Sequence, residues 1–189
     1  MHDYFSKEKS DFLKKKDKSK KGCIDKDAVK IVKEINFKEG YYTTSSCSGR
    51  IVLLEKLSNK KNQSRWIFTK HDKVTSAEIF GLLKNQKFRF PIWFKQEPII
   101  LHVRCRDSDS AKKLLKASRT IFRRAGIISL NEKKIIIEII GSERIDTIAA
   151  DKNFISDKIF VENLVKYANK NFDENKRKMG KLLSIIRKL

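Results

Sequence analysis

Glycine is scarce in this chain, with seven among 189 residues, at positions 22, 40, 49, 81, 126, 141 and 180. No two lie closer than nine residues, so neither G-x-G-x-x-G nor G-x-x-x-x-G-K can be written anywhere. A glycine-rich turn of the dinucleotide-binding or phosphate-cradling kind is excluded. Proline is confined to Pro91 and Pro98, and no low-complexity linker divides the chain. The cysteines, Cys23, Cys47 and Cys105, are odd in number and widely spaced, which suits a reducing compartment. They form neither a disulfide framework nor a zinc knuckle, and no metal is expected. No apolar run approaches the roughly eighteen residues of a membrane span. Residues 1 to 21 are mostly charged and lack the apolar core of a signal peptide. The expectation is a soluble, cytoplasmic monomer.

What the chain has in excess is positive charge. Lys and Arg number 44 against 23 Asp and Glu, a net charge of +21. Such an excess repels itself in the folded state, and a polyanionic partner relieves it, nucleic acid before membrane surface. AT-rich coding is the bland alternative, since it also enriches lysine and isoleucine. Forty percent of the residues are hydrophobic, twelve of them phenylalanine, enough for one sizeable core.

The patterning predicts an α+β fold, a single domain over residues 1–189 with a mixed β-sheet and flanking helices, and no Rossmann fold. Residues 4 to 16 read as helix. Asp25 reads as the N-cap of a helix from Lys26 to Phe37, striped by Ala28, Ile31, Val32 and Ile35. "YYTTSSCSGR" (41–50) and "IVLLEK" read as a hairpin turning at Gly49. "RWIFTKH" is a strand and residues 75 to 84 a helix. From Ile99 the alternation puts Ile99, Leu101, Val103 and Cys105 on one face and Ile100, His102, Arg104 and Arg106 on the other. Pro98 marks a strand start or bend. Residues 109 to 123 form an amphipathic helix with a basic ridge, Lys112, Lys116, Arg119 and Arg123. "KKIIIEII" and "RIDTIA" are strands, and helix returns from Ile159. Strands followed by helix occur twice, over 41–84 and 90–123, which hints at a duplicated unit.

Each polar candidate has an ordinary reading. Asp25 is explained as a cap, His71 as a structural hydrogen-bonder, and the basic ridge as a solvated helix face. Trp66 and Trp93 fit core packing as well as base stacking. What resists the ordinary reading is "TTSSCS", because a strand built only for stability would bury larger side chains on one face.

"DKSKKGCID", "YYTTSSCSGRIVLLE", "RWIFTKHD", "WFKQEPIILHVRCRD" and "AKKLLKASRTIFRRAGI", in that order, resemble the tRNA wybutosine-synthesising protein 3 family. The resemblance runs from the N-terminal helix to the last lysine-rich helix. It implies an S-adenosylmethionine-dependent methyltransferase outside the Rossmann class. Its expected target is ring nitrogen N-4 of the 7-aminocarboxypropyl-demethylwyosine base at position 37, in the anticodon arm of phenylalanine tRNA. Two positions depart from the family pattern: Cys23 stands where serine is usual, and Ala125 replaces the serine of S-G-I. By residue type, His71 and Asp25 are the catalytic candidates. Ser45, Ser46, Cys47, Ser48, Arg50 and His102 are the candidates for cofactor contact. Lys21, Arg104, Arg106, Lys112, Lys116, Arg119 and Arg123 are those for RNA. A non-enzymatic RNA-binding protein using the same basic faces is the alternative.

Overall fold

A computed structural model describes residues 4–15, 24–57, 64–85, 87–131 and 134–189. The fold is α+β, and the described residues form eight strands in two four-stranded antiparallel sheets. The chain divides into two compact units. Unit 1 comprises Met1–Ser48, Ile99–Ser142 and Lys176–Leu189, and unit 2 comprises Gly49–Pro98 and Glu143–Asn175.

The sheet of unit 1 contains β1 (Tyr41–Cys47), β5 (Ile100–Cys105), β7 (Lys134–Ile140) and β6 (Gly126–Asn131), in the order β1-β5-β7-β6. The expected alternation holds along β5. Ile99, Leu101, Val103 and Cys105 are all fully buried. They meet Ile135, Ile137 and Ile139 of β7 and the apolar stripes of α2 (Val29–Phe37) and α4 (Ser108–Arg119). Met179, Leu182 and Ile186, from the end of α5 (Lys158–Ile186), join this core. Asp107 caps α4 by accepting the Ser110 N–H at 2.7 Å. On the opposite sheet face lies α1 (Tyr4–Leu13), whose Phe5 packs 5.7 Å from Tyr42 of β1 between ring centroids.

Unit 2 holds β3 (Ser64–Lys70), β2 (Arg50–Lys56), β4 (Ile92–Glu97) and β8 (Ile145–Ala150), in the order β3-β2-β4-β8. Ile51, Leu53, Ile92 and Phe94 face α3 (Ser76–Lys84) and the first part of α5, through Ile79, Leu83, Val161 and Val165. A capping box starts α3: Thr75 accepts the Glu78 N–H, and Glu78 reaches back to the Thr75 N–H.

Residues 41–56 do not form a hairpin. β1 pairs with β5, whereas β2 pairs with β3 and β4. Gly49 does take the positive φ expected of it, 98°, but the turn carries the chain out of one sheet and into the other. Pro98 marks a second such switch, between β4 and β5. The suggested duplication therefore fails as a structural unit, because each of the segments 41–84 and 90–123 is distributed over both sheets. Strand β6 had no clear sequence signal. Its Ile127, Ile128 and Leu130 are exposed and spaced without alternation, at a sheet edge.

Candidate active site

The hydroxyl-rich stretch is β1, and a bulge between Thr43 and Ser45 decides where its side chains point. Beyond the bulge Ser45 stands opposite His102, Ser46 opposite Leu101 and Cys47 opposite Ile100. Residues opposite one another share a sheet face. Ser45 and Cys47 therefore join the row of His102, while Ser46 falls in the row of the core residue Leu101. Ser45 is exposed; Ser46 and Cys47 are half-buried. The Thr44 hydroxyl lies 3.3 Å from the His102 carbonyl, to which it donates. His102 Nε2 is 3.0 Å from Glu138 Oε2, and Glu138 is its partner across β5 and β7. Glu138 was not among the sequence candidates, although one acid inside "IIIEII" must fall on a single strand face.

Asp25 is not the side-chain cap of α2. The helix starts at Val29, with Ala28 in the cap position and no side-chain cap. The Asp25 carbonyl accepts the N–H of Ala28 at 2.8 Å and of Val29 at 3.1 Å. Its carboxylate accepts the Ser48 N–H at 3.0 Å and the Ser48 hydroxyl at 3.4 Å. Both residues are buried. A buried carboxylate requires donors, and Ser48 supplies two of them from the end of β1. Ser48 and Asp25 thus hold the end of the hydroxyl-rich strand against the segment that precedes α2.

The basic candidates separate by exposure. Arg104 is only 3 % exposed, forms a 3.1 Å ion pair with Glu8 and donates to the Cys105 carbonyl. Its guanidinium lies 5.2 Å from the Phe5 ring centroid. Strand alternation placed Arg104 on the outer face correctly, but α1 covers that face, so Arg104 is set aside as an RNA contact. Arg106 is half-buried, 3.3 Å from the Ser6 hydroxyl and also over Phe5. Lys112, Lys116, Arg119 and Arg123 are all exposed. α4 ends at Arg119, whose Nε donates to the Ala125 carbonyl at 2.9 Å. Arg123 therefore sits in the turn that follows rather than on the helix. Lys21 and Cys23 lie outside the described residues.

The buried Cys105 is chemically quiet. Burial pushes its thiol up to about 12, against the opposing pull of Arg104, so it stays protonated and is no nucleophile. Unit 1 also has a cleft of about 490 Å³ between α1 and the sheet, lined among others by Phe12, Lys15, Tyr42, Thr44 and Ile136. Tyr42 and Thr44 bring the first part of the motif into it; Ser45 to Ser48 do not line it.

In unit 2, Arg50 forms a 2.5 Å ion pair with Glu97, its partner across β2 and β4. His71 is half-buried in the bend between β3 and the Thr75 cap of α3.

A family model described as Methyltransferase TYW3 matches residues 7–188. The chain belongs to this family. A Methanocaldococcus jannaschii protein named tRNA(Phe) 7-((3-amino-3-carboxypropyl)-4-demethylwyosine(37)-N(4))-methyltransferase is 35 % identical, covering 79 % of each chain. A relative of the same name from Archaeoglobus fulgidus is 34 % identical over 100 % of this chain and 95 % of its own. The PH1069 protein of Pyrococcus horikoshii superposes with a TM-score of 0.82 at 32 % identity, covering 88 % of this chain and 87 % of the other. The TYW3 assignment makes this chain a methyltransferase of tRNA modification. Its strands pair antiparallel throughout the described sheets. Among the described residues this TYW3 chain therefore has no parallel βαβ turn of the kind on which a Rossmann enzyme holds its cofactor. Among the described residues no helix is long and apolar enough to cross a membrane.

Proposed function

We propose that this chain, working as one tRNA-methyltransferase domain, transfers a methyl group from S-adenosylmethionine to ring nitrogen N-4 of 7-aminocarboxypropyl-demethylwyosine at position 37 of phenylalanine tRNA. The observation that carries this reading is the family match over residues 7–188, joined by relatives whose names state that reaction. The donor set suits the cofactor, which has hydroxyls and an amino-acid end but no phosphate. Ser45 and Cys47 offer small donors in the row of His102. When bound, S-adenosylmethionine supplies an electrophilic methyl group on a sulfonium.

The residues of this chain then position and deprotonate. In-line displacement depends on alignment, and an error near 1 Å costs about 100-fold. Asp25 contributes by fixing Ser48, and with it the end of β1. His71 takes the proton that N-4 must lose, its neutral imidazole being the better base of the two catalytic candidates, His71 and Asp25. Lys112, Lys116, Arg119 and Arg123 contact phosphates of the anticodon arm. The cytoplasm is the expected compartment.

The deciding experiment is methylation of phenylalanine tRNA taken from cells lacking this step, read as a mass gain of one methyl group on the isolated nucleoside. Wild type should methylate only with S-adenosylmethionine present. Ser45→Leu should lower the rate about 100-fold without changing the melting temperature, because the exposed leucine obstructs the ligand and not the core. Binding of RNA without any methyl gain would leave the non-enzymatic reading in its place.

A further inference from the structure

The face of the unit 2 sheet turned away from its core carries an unusual row. Register places Trp66 of β3 and Trp93 of β4 on either side of Leu54 of β2, with Ile148 of β8 beyond Trp93. Trp66 is 45 % exposed and Ile148 is 37 % exposed, whereas α3 and α5 pack on the opposite face. Cations lie over both indoles. Arg50 is 4.8 Å from the Trp66 ring centroid; Lys56 and Lys95 are 5.3 and 5.6 Å from that of Trp93. Glu97 and Asp146 orient two of these cations, pairing with Arg50 at 2.5 Å and Lys95 at 2.6 Å. No tryptophan exists elsewhere in the chain.

We propose that this face is a docking platform for unpaired nucleotides of the RNA substrate, with Arg50, Lys56 and Lys95 swinging from the rings to the phosphates as bases stack on Trp66 and Trp93. Indoles two strands apart stand about 10 Å from one another. That spacing suits two splayed bases and is too wide for a stacked pair. A four-stranded sheet with aromatics on its open face is a recurrent way to hold single-stranded RNA, because every base has a π-face to stack. Cations beside the rings add phosphate contacts, and the planar guanidinium of Arg50 also stacks on bases. The net charge of +21 makes a polyanion the complementary occupant, where an uncharged apolar patch would suit another protein.

The proposal rests on tRNA being the substrate, but its test needs no methyl transfer. Full-length protein is titrated with a single-stranded oligoadenylate of about ten nucleotides, a length within the usual site size of such surfaces, and intrinsic tryptophan fluorescence is followed. Only this face contributes to that signal. Quenching should accompany binding. Trp66→Ala should weaken affinity about tenfold at low and at high salt, with Trp66→Phe intermediate, since stacking releases no counterions. Lys56→Gln with Lys95→Gln should instead flatten the salt dependence. Unmoved fluorescence at saturating oligoadenylate, or wild-type affinity in a Trp66→Ala protein of unchanged melting temperature, would overturn the platform. So would sedimentation showing a self-association that Trp66→Ala abolishes, because the face would then belong to a second copy. A chain that binds oligoadenylate through Trp66 yet methylates no tRNA keeps the platform and loses the reaction. One that methylates while ignoring Trp66→Ala does the reverse.

Discussion

In unit 1 the sheet face turned from the core is partly covered by α1, and beneath that helix Arg104 pairs with Glu8. In unit 2 the corresponding face presents two indoles with cations held over them. Both units otherwise follow one plan, a four-stranded antiparallel sheet packed on helices. The difference shows that residue type is a poor guide to role. Arg104 and Arg50 are both strand arginines ion-paired to glutamate, yet one is 3 % exposed beneath a helix and the other flanks an open tryptophan. A covering helix, not residue type, decides whether a strand cation is buried or accessible.

The sharpest way to break this contrast is to remove one chemical candidate from each unit. His71→Ala, in unit 2, should cost about 10²- to 10⁴-fold in single-turnover methylation if the imidazole takes the proton. The wild-type rate should rise with pH to a plateau, because the neutral imidazole is the active form. Asp25→Asn, in unit 1, should lower the rate while keeping that inflection, because its part is to hold Ser48. A flat wild-type profile together with full activity in His71→Ala would dismiss the histidine.

Next in size are the two cores. Phe94 of unit 2 and Leu114 of unit 1 are each fully buried. Phe94→Ala should cost about 3–5 kcal/mol and Leu114→Ala about 2–5 kcal/mol in denaturant unfolding, transfer and cavity terms combined. A loss below about 1 kcal/mol at either site would mean that the unit repacks around the hole, and that its core is looser than its burial suggests.

Local patterns made the interior of each element legible, and long-range pairing escaped them. The alternation along β5 and the apolar stripe of α4 were readable because periods of 2 and 3.6 are properties of a single element. The supposed hairpin was not, since β-branched residues and a glycine of positive φ serve a turn within one sheet as well as a passage between two. Asp25 shows the same limit. Its position before an apolar stripe is a fair capping signal, but the donors that its buried carboxylate needs come from Ser48, 23 residues on. For the candidate site, the motif located β1 and His102, while the bulge that turns Ser46 away from His102 has no signature in "TTSSCS".

A smaller effect tests where the exposed charge of unit 1 acts. With Arg104 buried, Lys112, Lys116, Arg119 and Arg123, on α4 and in the turn after it, are the exposed candidates of unit 1 for binding phosphates. Replacing all four by glutamine should reduce the slope of log affinity against log salt by about 0.9 for each duplex phosphate that is no longer neutralised. An unchanged slope in filter binding with phenylalanine tRNA would return the ridge to a solvated helix face.

The smallest expected effect comes from one carboxylate in each unit whose hydrogen bonds hold it below its ordinary range. For Asp107 the cause is the Ser110 N–H and hydroxyl at the start of α4. For Glu55 burial pushes upward, but the N–H groups of Arg89 and Phe90, with the Arg65 guanidinium, outweigh it. In both cases the folded protein binds the proton less readily than the unfolded chain. The stabilisation is therefore complete above the unfolded values, about 3.9 for Asp and 4.3 for Glu, and is lost as pH falls through the lower folded ones. Asp107→Ala should cost about 1 kcal/mol at neutral pH, the usual worth of an N-cap. Its deficit against wild type should shrink in urea unfolding once the pH drops below about 3.9, the unfolded value of that carboxyl. Glu55→Gln should converge on wild type in the same direction, since protonation of Glu55 removes the charge that the substitution removes. A deficit of equal size at neutral and acid pH would show that the cap works through its oxygen alone and that its charge adds nothing to the stability of α4.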